Sequence, residues 1–179
     1  FRLFNNGSER ARIDSSGNLL VGKTAADSGA SNGVELIPAG NSYFTNTSGN
    51  VLRLNRKTSD GDIARFDKDG TTVGSISVTS SATTYNTSSD ARLKDVTGEA
   101  RGLEVITKLN PVAYNWKANG KADEGLIAQE VKEIVPNAVS GSEDEHYQMD
   151  YSKLVTPLVK AIQEQQEQIE SLKSEIAKL

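Results

Sequence analysis

The sequence predicts an α+β fold built from two unlike halves, and three observations predict it. Residues 1–87 are rich in Gly, Ser, Thr and Asn, with short alternating apolar runs set between turn signals. From about residue 88 the composition moves to Glu, Lys, Ala, Leu and Val, and the apolar spacing becomes helical. The stretch 151–179 then carries apolar residues three and four positions apart to its end. The expected domains are a fibrous, β-rich segment at 1–87 and an α/β domain at 88–179 that ends in a long coiled-coil helix over about 151–179.

In the first half, Asn5-Asn6-Gly7, Ser16-Gly17-Asn18, Ser48-Gly49-Asn50, Asp60-Gly61 and Asp69-Gly70 are turn chemistry, because Gly, Asn and Asp reach positive φ at little cost. Strands are expected between them at 10–13, 19–21, 34–37, 51–54 and 73–78. An internal echo is present: Ala11-Arg12-Ile13-Asp14, running to Val21-Gly22, returns as Ala64-Arg65-Phe66-Asp67, running to Val73-Gly74. Self-similar β units that cannot each close a core mark fibrous or repeat architecture, here an intertwined stalk. A small β-sandwich would carry more aromatics and larger aliphatics.

The second half reads as mixed helix and strand. A helix over 99–109, capped by Thr97 or Asp95, is expected to stop at Asn110-Pro111. Val112, Tyr114 and Trp116 alternate with polar or small residues, as in a half-buried strand, and Asn119-Gly120 is a strong hairpin signal that returns it toward Ile127. A short helix over 128–135 ends at Pro136. A second hairpin is expected to join Ala138-Val139 to 147–149 across the acidic loop Ser142-Glu143-Asp144-Glu145. The final helix has heptad a positions Val155, Ile162, Ile169 and Ile176, and d positions Leu158, Gln165, Leu172 and Leu179. Asp150 is placed to cap its start, with Pro157 in or near the first turn.

Composition narrows the function classes. A hydrophobic content of 36% with 6% aromatics is low for one globular core, so burial against other chains is expected. A net charge of −4 argues against nucleic acid or an anionic membrane as the main partner. The absence of cysteine removes disulfides and thiolate metal sites and fits synthesis in a reducing cytoplasm. No apolar run is long enough for a membrane span. The chain begins at Phe1 and its only Met is Met149, so we expect the C-terminal part of a longer protein. The sole histidine, His146, stands beside the acidic loop as a surface residue, and that loop lacks the spacing of a calcium site. No cofactor or metal is expected.

The connector 80–88 leads into Ser89-Asp90-Ala91-Arg92-Leu93-Lys94. Serine with lysine is the smallest pair able to do nucleophilic chemistry without histidine, since a desolvated lysine can serve as the base. Chance pairs at this spacing are common, so the pair needs company. That company is Leu109-Asn110-Pro111-Val112 with Tyr114 and Trp116, then Gly125-Leu126-Ile127-Ala128-Gln129-Glu130-Val131 with Pro136, then the run from Tyr147 to Leu158 and the helix after it. In this order the blocks resemble the auto-processing intramolecular chaperone domain at the C-termini of phage tailspikes and tail fibres, of the endosialidase type. Asp95 departs from the Glu-Asn that often follows the lysine in that family.

The resemblance implies a homotrimer that assembles in the bacterial host cytoplasm and ends up in the virion tail fibre, attached to upstream fibre or tailspike domains. It also implies self-cleavage. Ring size chooses the bond: Ser89 Oγ attacking the carbonyl of Ser88 closes a five-membered ring, whereas attack on its own carbonyl would close a strained four-membered one. The scissile bond is then Ser88–Ser89, with Ser89 as nucleophile and Lys94 as general base, its neutral form favoured by burial on assembly. Asp90 and Arg92 are candidates to position the loop or stabilise charge. Whether Lys94 serves its own chain or a neighbour's stays open. Ile at a with Leu at d leans toward a dimer in isolated coiled coils, while the resemblance implies a trimer whose symmetry the attached stalk would set. Two other functions remain at this point: a permanently attached trimeric fibre tip that binds a host receptor without cleavage, and a Ser/Lys hydrolase acting on other substrates.

Overall fold

The computed structural model describes residues 1–38 and 40–179 and is mixed α and β. It divides into two compact units, Phe1–Lys94 and Asp95–Leu179.

The first unit contains two antiparallel meanders. Strands β1 (Arg2–Asn5), β2 (Ser8–Ile13), β3 (Leu19–Val21), β4 (Gly33–Leu36) and β5 (Tyr43–Thr45) pair in chain order as a five-stranded sheet. Strands β6 (Gly61–Lys68), β7 (Thr71–Val78) and β8 (Thr83–Thr87) form a three-stranded one. Two of the turns follow from their sequence: Asn6 and Gly7 take φ of 52° and 75°, and Asp69 and Gly70 take 50° and 78°, the mirror-image turn whose twist suits a tight hairpin. The sequence echo becomes two hairpins, β2–β3 and β6–β7. In the first, Asp14 accepts from the Ser16 and Asn18 amides at 2.9 and 3.0 Å. In the second, Asp67 accepts from Thr72 Oγ1 at 2.7 Å. The expected strand at 51–54 does not form. Val51, Leu52 and Leu54 lie in irregular, exposed chain, because no neighbouring strand offers its backbone groups a ladder.

Register decides the faces of the five-stranded sheet. Leu3, Ala11, Val21, Val34 and Phe44 stand opposite one another along one face, while Arg12, Leu20, Glu35 and Tyr43 share the other. On the second face Leu20 and Glu35 are both fully buried. Lys23, with only 5% of its side chain exposed, binds both Asp27 and Glu35. Glu35 Oε1 also accepts from the amides of Asp27 and Gly29, each at 3.2 Å. These bonds draw the loop between β3 and β4 over the sheet. Burial pulls the Lys23 pKa down, but the hydrogen bonds to Asp27 and Glu35 outweigh it and leave the lysine firmly protonated. On the first face Ala11 is buried, but Leu3, Ile13, Leu19, Val21, Leu36 and Phe44 are all exposed.

In the second unit, α1 (Leu103–Ile106) is followed by the hairpin β9 (Val112–Asn115) and β10 (Ala122–Gly125), then α2 (Ala128–Ile134). The short pair β11 (Val139–Ser140) and β12 (Gln148–Met149) comes next, and a 3₁₀ turn at Tyr151–Leu154 leads straight into α3 (Val155–Ile176). Val105, Val131, Val135, Ala138 and Leu154 make one contiguous core. Asp150 accepts from the Ser152 amide at 3.0 Å and so caps the entry to the last helix. Pro157 sits in the first turn of α3, where a missing N–H costs little.

Two expectations need revision here. The helix expected over 99–109 is only Leu103–Ile106, because Gly102 takes a non-helical conformation (φ −115°, ψ −109°) just before it. Its first amide is satisfied by Glu164 of α3, with Leu103 N–H donating at 2.7 Å, and not by Thr97 or Asp95. The last helix also has two working faces. Leu154 and Ala161 are buried against its own unit, with Pro157, Lys160 and Glu164 half-buried beside them. The heptad seam points elsewhere and is bare, with Ile162 63% and Ile176 68% exposed.

Candidate active site

Strand β8 delivers the chain to the site. It pairs with β7 from Val78↔Thr83 to Gly74↔Thr87, and the Ser88 amide extends that ladder by donating to the Val73 carbonyl at 3.4 Å. The ladder ends there. Asp90, in extended conformation, caps a 3₁₀ turn at Ala91–Leu93 by accepting from the Arg92 amide at 2.8 Å. The turn is closed by Leu93 N–H to Asp90 O and Lys94 N–H to Ala91 O, both at 3.1 Å. It folds the chain back on itself, so that Lys94 Nζ, five residues on, donates to Ser89 Oγ at 2.6 Å.

The turn is stiffened by a fork. Arg92 Nε and Nη2 both reach the Asp90 carboxylate, the shortest contact being 2.6 Å. The Arg92 guanidinium and amide hold the Asp90 carboxyl below the ordinary carboxylate range, and the carboxylate in turn raises the Arg92 pKa. Of the four residues singled out in the sequence, Ser89 and Lys94 therefore touch each other, while Asp90 and Arg92 pair beside them. Arg92 is engaged with Asp90 and does not contact the serine. Ser89 and Lys94 are both exposed to solvent in the single chain.

Chemically, this arrangement holds a hydroxyl against an amine at proton-transfer distance, one peptide unit beyond an anchored strand. In the geometry observed the lysine is the donor; proton transfer from the hydroxyl requires the neutral amine. Among the described residues, no group of three or more His, Cys, Asp and Glu is gathered to hold a metal. His146 and the acidic loop 142–145 are exposed. Sequence reasoning missed the part played by Val73 and its strand, although the echo had marked Val73-Gly74. Pairing across the β7–β8 turn is what brings Val73 to Ser88.

A serine–lysine pair on a tight turn at the exit of a β-hairpin is an arrangement able to do nucleophilic chemistry without histidine. Residues 89–140 match the family described as the chaperone of endosialidase, and the match begins on Ser89 itself. Over this segment the chain is similar to intramolecular chaperone domains of the endosialidase type, a self-cleaving peptidase family. No curated protein and no solved structure matches the chain. No helix among the described residues is long and apolar enough to cross a membrane.

Proposed function

We propose that the chain is the C-terminal region of a phage tail fibre or tailspike, and that its intramolecular chaperone, 88–179, gathers three copies, directs the folding of the β-rich stalk segment at 1–87 and then releases itself at the Ser88–Ser89 bond. The observation that carries this reading is the contact of Lys94 Nζ with Ser89 Oγ on the first residues of the family match.

The cut runs in two stages. Lys94, as the neutral amine, takes the Ser89 hydroxyl proton while Oγ attacks the Ser88 carbonyl carbon. The tetrahedral centre collapses, the Ser89 nitrogen leaves with the proton returned by Lys94, and Ser88 is held as an ester on Ser89 Oγ. Water then hydrolyses the ester, leaving a carboxylate on Ser88 and a free amine on Ser89. Burial at an assembly interface would favour the neutral lysine, and within the single chain Lys94 is exposed. Asp90 and Arg92 hold the turn that keeps the two groups together.

The chaperone role rests on folding physics. Three chains that must start in register face a large loop-closure cost before non-local β contacts reward it. A C-terminal helical bundle raises the local concentration of the three stalk segments and makes that search local. The bare heptad seam of α3 supports this role, as does the uncovered apolar face of the five-stranded sheet. Once the helper has left, the stalk can unfold but cannot easily refold, so its persistence becomes kinetic.

The test is a denaturing gel with fragment masses, alongside the native oligomeric state. Wild type should yield two fragments. Ser89→Ala and Lys94→Ala should each give trimeric, full-length, uncut protein, since one lacks the attacking oxygen and the other its base. Ser88→Ala should still be cut. Normal cutting of Lys94→Ala would remove the lysine from the mechanism.

A further inference from the structure

We infer that the β7–β8 hairpin on the stalk side is a gate for the cut: the scissile residue is held only when this ladder is zipped to its last rung. The inference rests on the reading that Ser89 attacks the Ser88 carbonyl, and it adds what must be folded for that attack to occur.

Ser88 is anchored twice to one acceptor. Its amide reaches Val73 O at 3.4 Å and its hydroxyl reaches the same oxygen at 3.3 Å. The Val73 carbonyl therefore fixes the residue whose carbonyl carbon is attacked, while the Asp90–Arg92 fork fixes the nucleophile and base from the other side. Between these two anchors lie the scissile peptide and Ser89 itself. One rung back, Gly74 pairs with Thr87 and needs to be glycine: a Cβ there would stand 2.8 Å from the Asn86 carbonyl oxygen. Asn86 Nδ2 ties the same end of β8 to β7 through Ser75 Oγ at 3.1 Å and Ser77 Oγ at 3.0 Å, and Ser75 is buried. Strand β8 itself is exposed along its whole length, so these polar ties and the ladder are what hold it.

The consequence is an ordered sequence of events. Near-attack geometry needs both sides of the bond fixed, and a frayed ladder leaves the Ser88 carbonyl free to wander from Ser89 Oγ. Cutting is thus conditional on closure of the last hairpin of the stalk segment, independently of whether Ser89 and Lys94 touch. Gly74, Asn86 and Ser88 are positioning residues and do not take part in the chemistry.

Cell-free synthesis of the full chain, sampled over time on denaturing gels, measures the processing rate. Gly74→Val should slow it at least about ten-fold, because the clash opens the rung beside the cut. Asn86→Ala and Ser88→Ala should each slow it about five-fold, the effect of losing a surface hydrogen bond, and Ser88→Thr should restore the rate. Thr83→Ala, at the far end of the same ladder, should leave it unchanged. A merely structural role for the hairpin would slow Thr83→Ala equally and would not be rescued by Ser88→Thr; either result overturns the gate. Wild-type rates for Gly74→Val and Asn86→Ala would overturn it as well. Ser89→Ala separates the two levels: if wild type and Ser89→Ala give the same fragments, the cut itself is misassigned, whereas failure of the gate alone leaves Ser89→Ala uncut.

Discussion

The two units solve the burial problem in opposite ways. The second closes Val105, Val131, Val135, Ala138 and Leu154 into a core of its own. In the first, among the described residues, Ala11 and Leu20 are the buried apolar side chains, and Leu20 shares its face with the fully buried Glu35 of the Lys23–Asp27–Glu35 cluster. A segment that buries this little cannot offset its chain entropy alone, whereas a small domain with a contiguous core can come close. The difference teaches which partner depends on which. The second unit has a contiguous core of its own, and under the proposed function the β-rich segment relies on other copies to cover its apolar face. The last helix divides its surface, with Ala161 facing inward beside Leu154 and the seam residues Ile162 and Ile176 exposed.

The sharpest way to break this comparison is to remove the seam and keep the core. Truncation after Glu164 retains Leu154, Ala161 and the Glu164 bond to Leu103, and it removes Ile169, Leu172 and Ile176. The second unit should stay folded by circular dichroism, while the full chain loses its trimer and the 1–87 segment aggregates. Soluble trimers at normal yield would show that the seam is not the organiser. Next in size, Leu154→Ala should cost the second unit about 2–5 kcal/mol in denaturant unfolding, the usual effect of emptying a packed site. Ile162→Ala, on the exposed seam, should change the isolated unit by less than about 0.5 kcal/mol and show its effect in the dissociation of the assembly. Equal effects on the isolated unit would mean the two faces are not distinct.

Gln165 tests the register of that seam more gently. An amide at a d position weakens a helical bundle, so Gln165→Leu should raise the melting temperature of the assembled helices. A lower value would put the seam on other residues. The smallest effect is expected at the turn. The Asp90 carboxyl is held below its ordinary value of 3.8. The Asp90–Arg92 contribution is therefore complete above that value and is lost as the pH falls through the lower folded pKa. In uncut Ser89→Ala protein, the NMR signal of the Arg92 amide should hold steady from neutral pH and shift only below about pH 4. A shift centred near pH 6 would show that another group governs the turn.

Much of this was legible in the sequence, for local reasons. The Asn6-Gly7 and Asp69-Gly70 turns, the β9–β10 hairpin at Asn119-Gly120 and the Asp150 cap all depend on residues close together in the chain. The contact between Ser89 and Lys94 was legible for the same reason, since a single capped turn joins them. The misses are non-local or depend on one backbone torsion. Lys23 meets Glu35 only because β3 and β4 pair in one register. Val73 meets Ser88 only across the β7–β8 ladder. Helical spacing over 99–109 concealed the break at Gly102, and the run at 51–54 had strand-like composition without a strand to pair with.

The measurement that tests the central claim most directly is the N-terminal sequence, with the intact mass, of the C-terminal fragment released by wild-type protein. The account predicts a fragment that begins at Ser89 and runs to Leu179, absent from both Ser89→Ala and Lys94→Ala. A fragment that begins at Asp90, or one that survives either substitution, would contradict it.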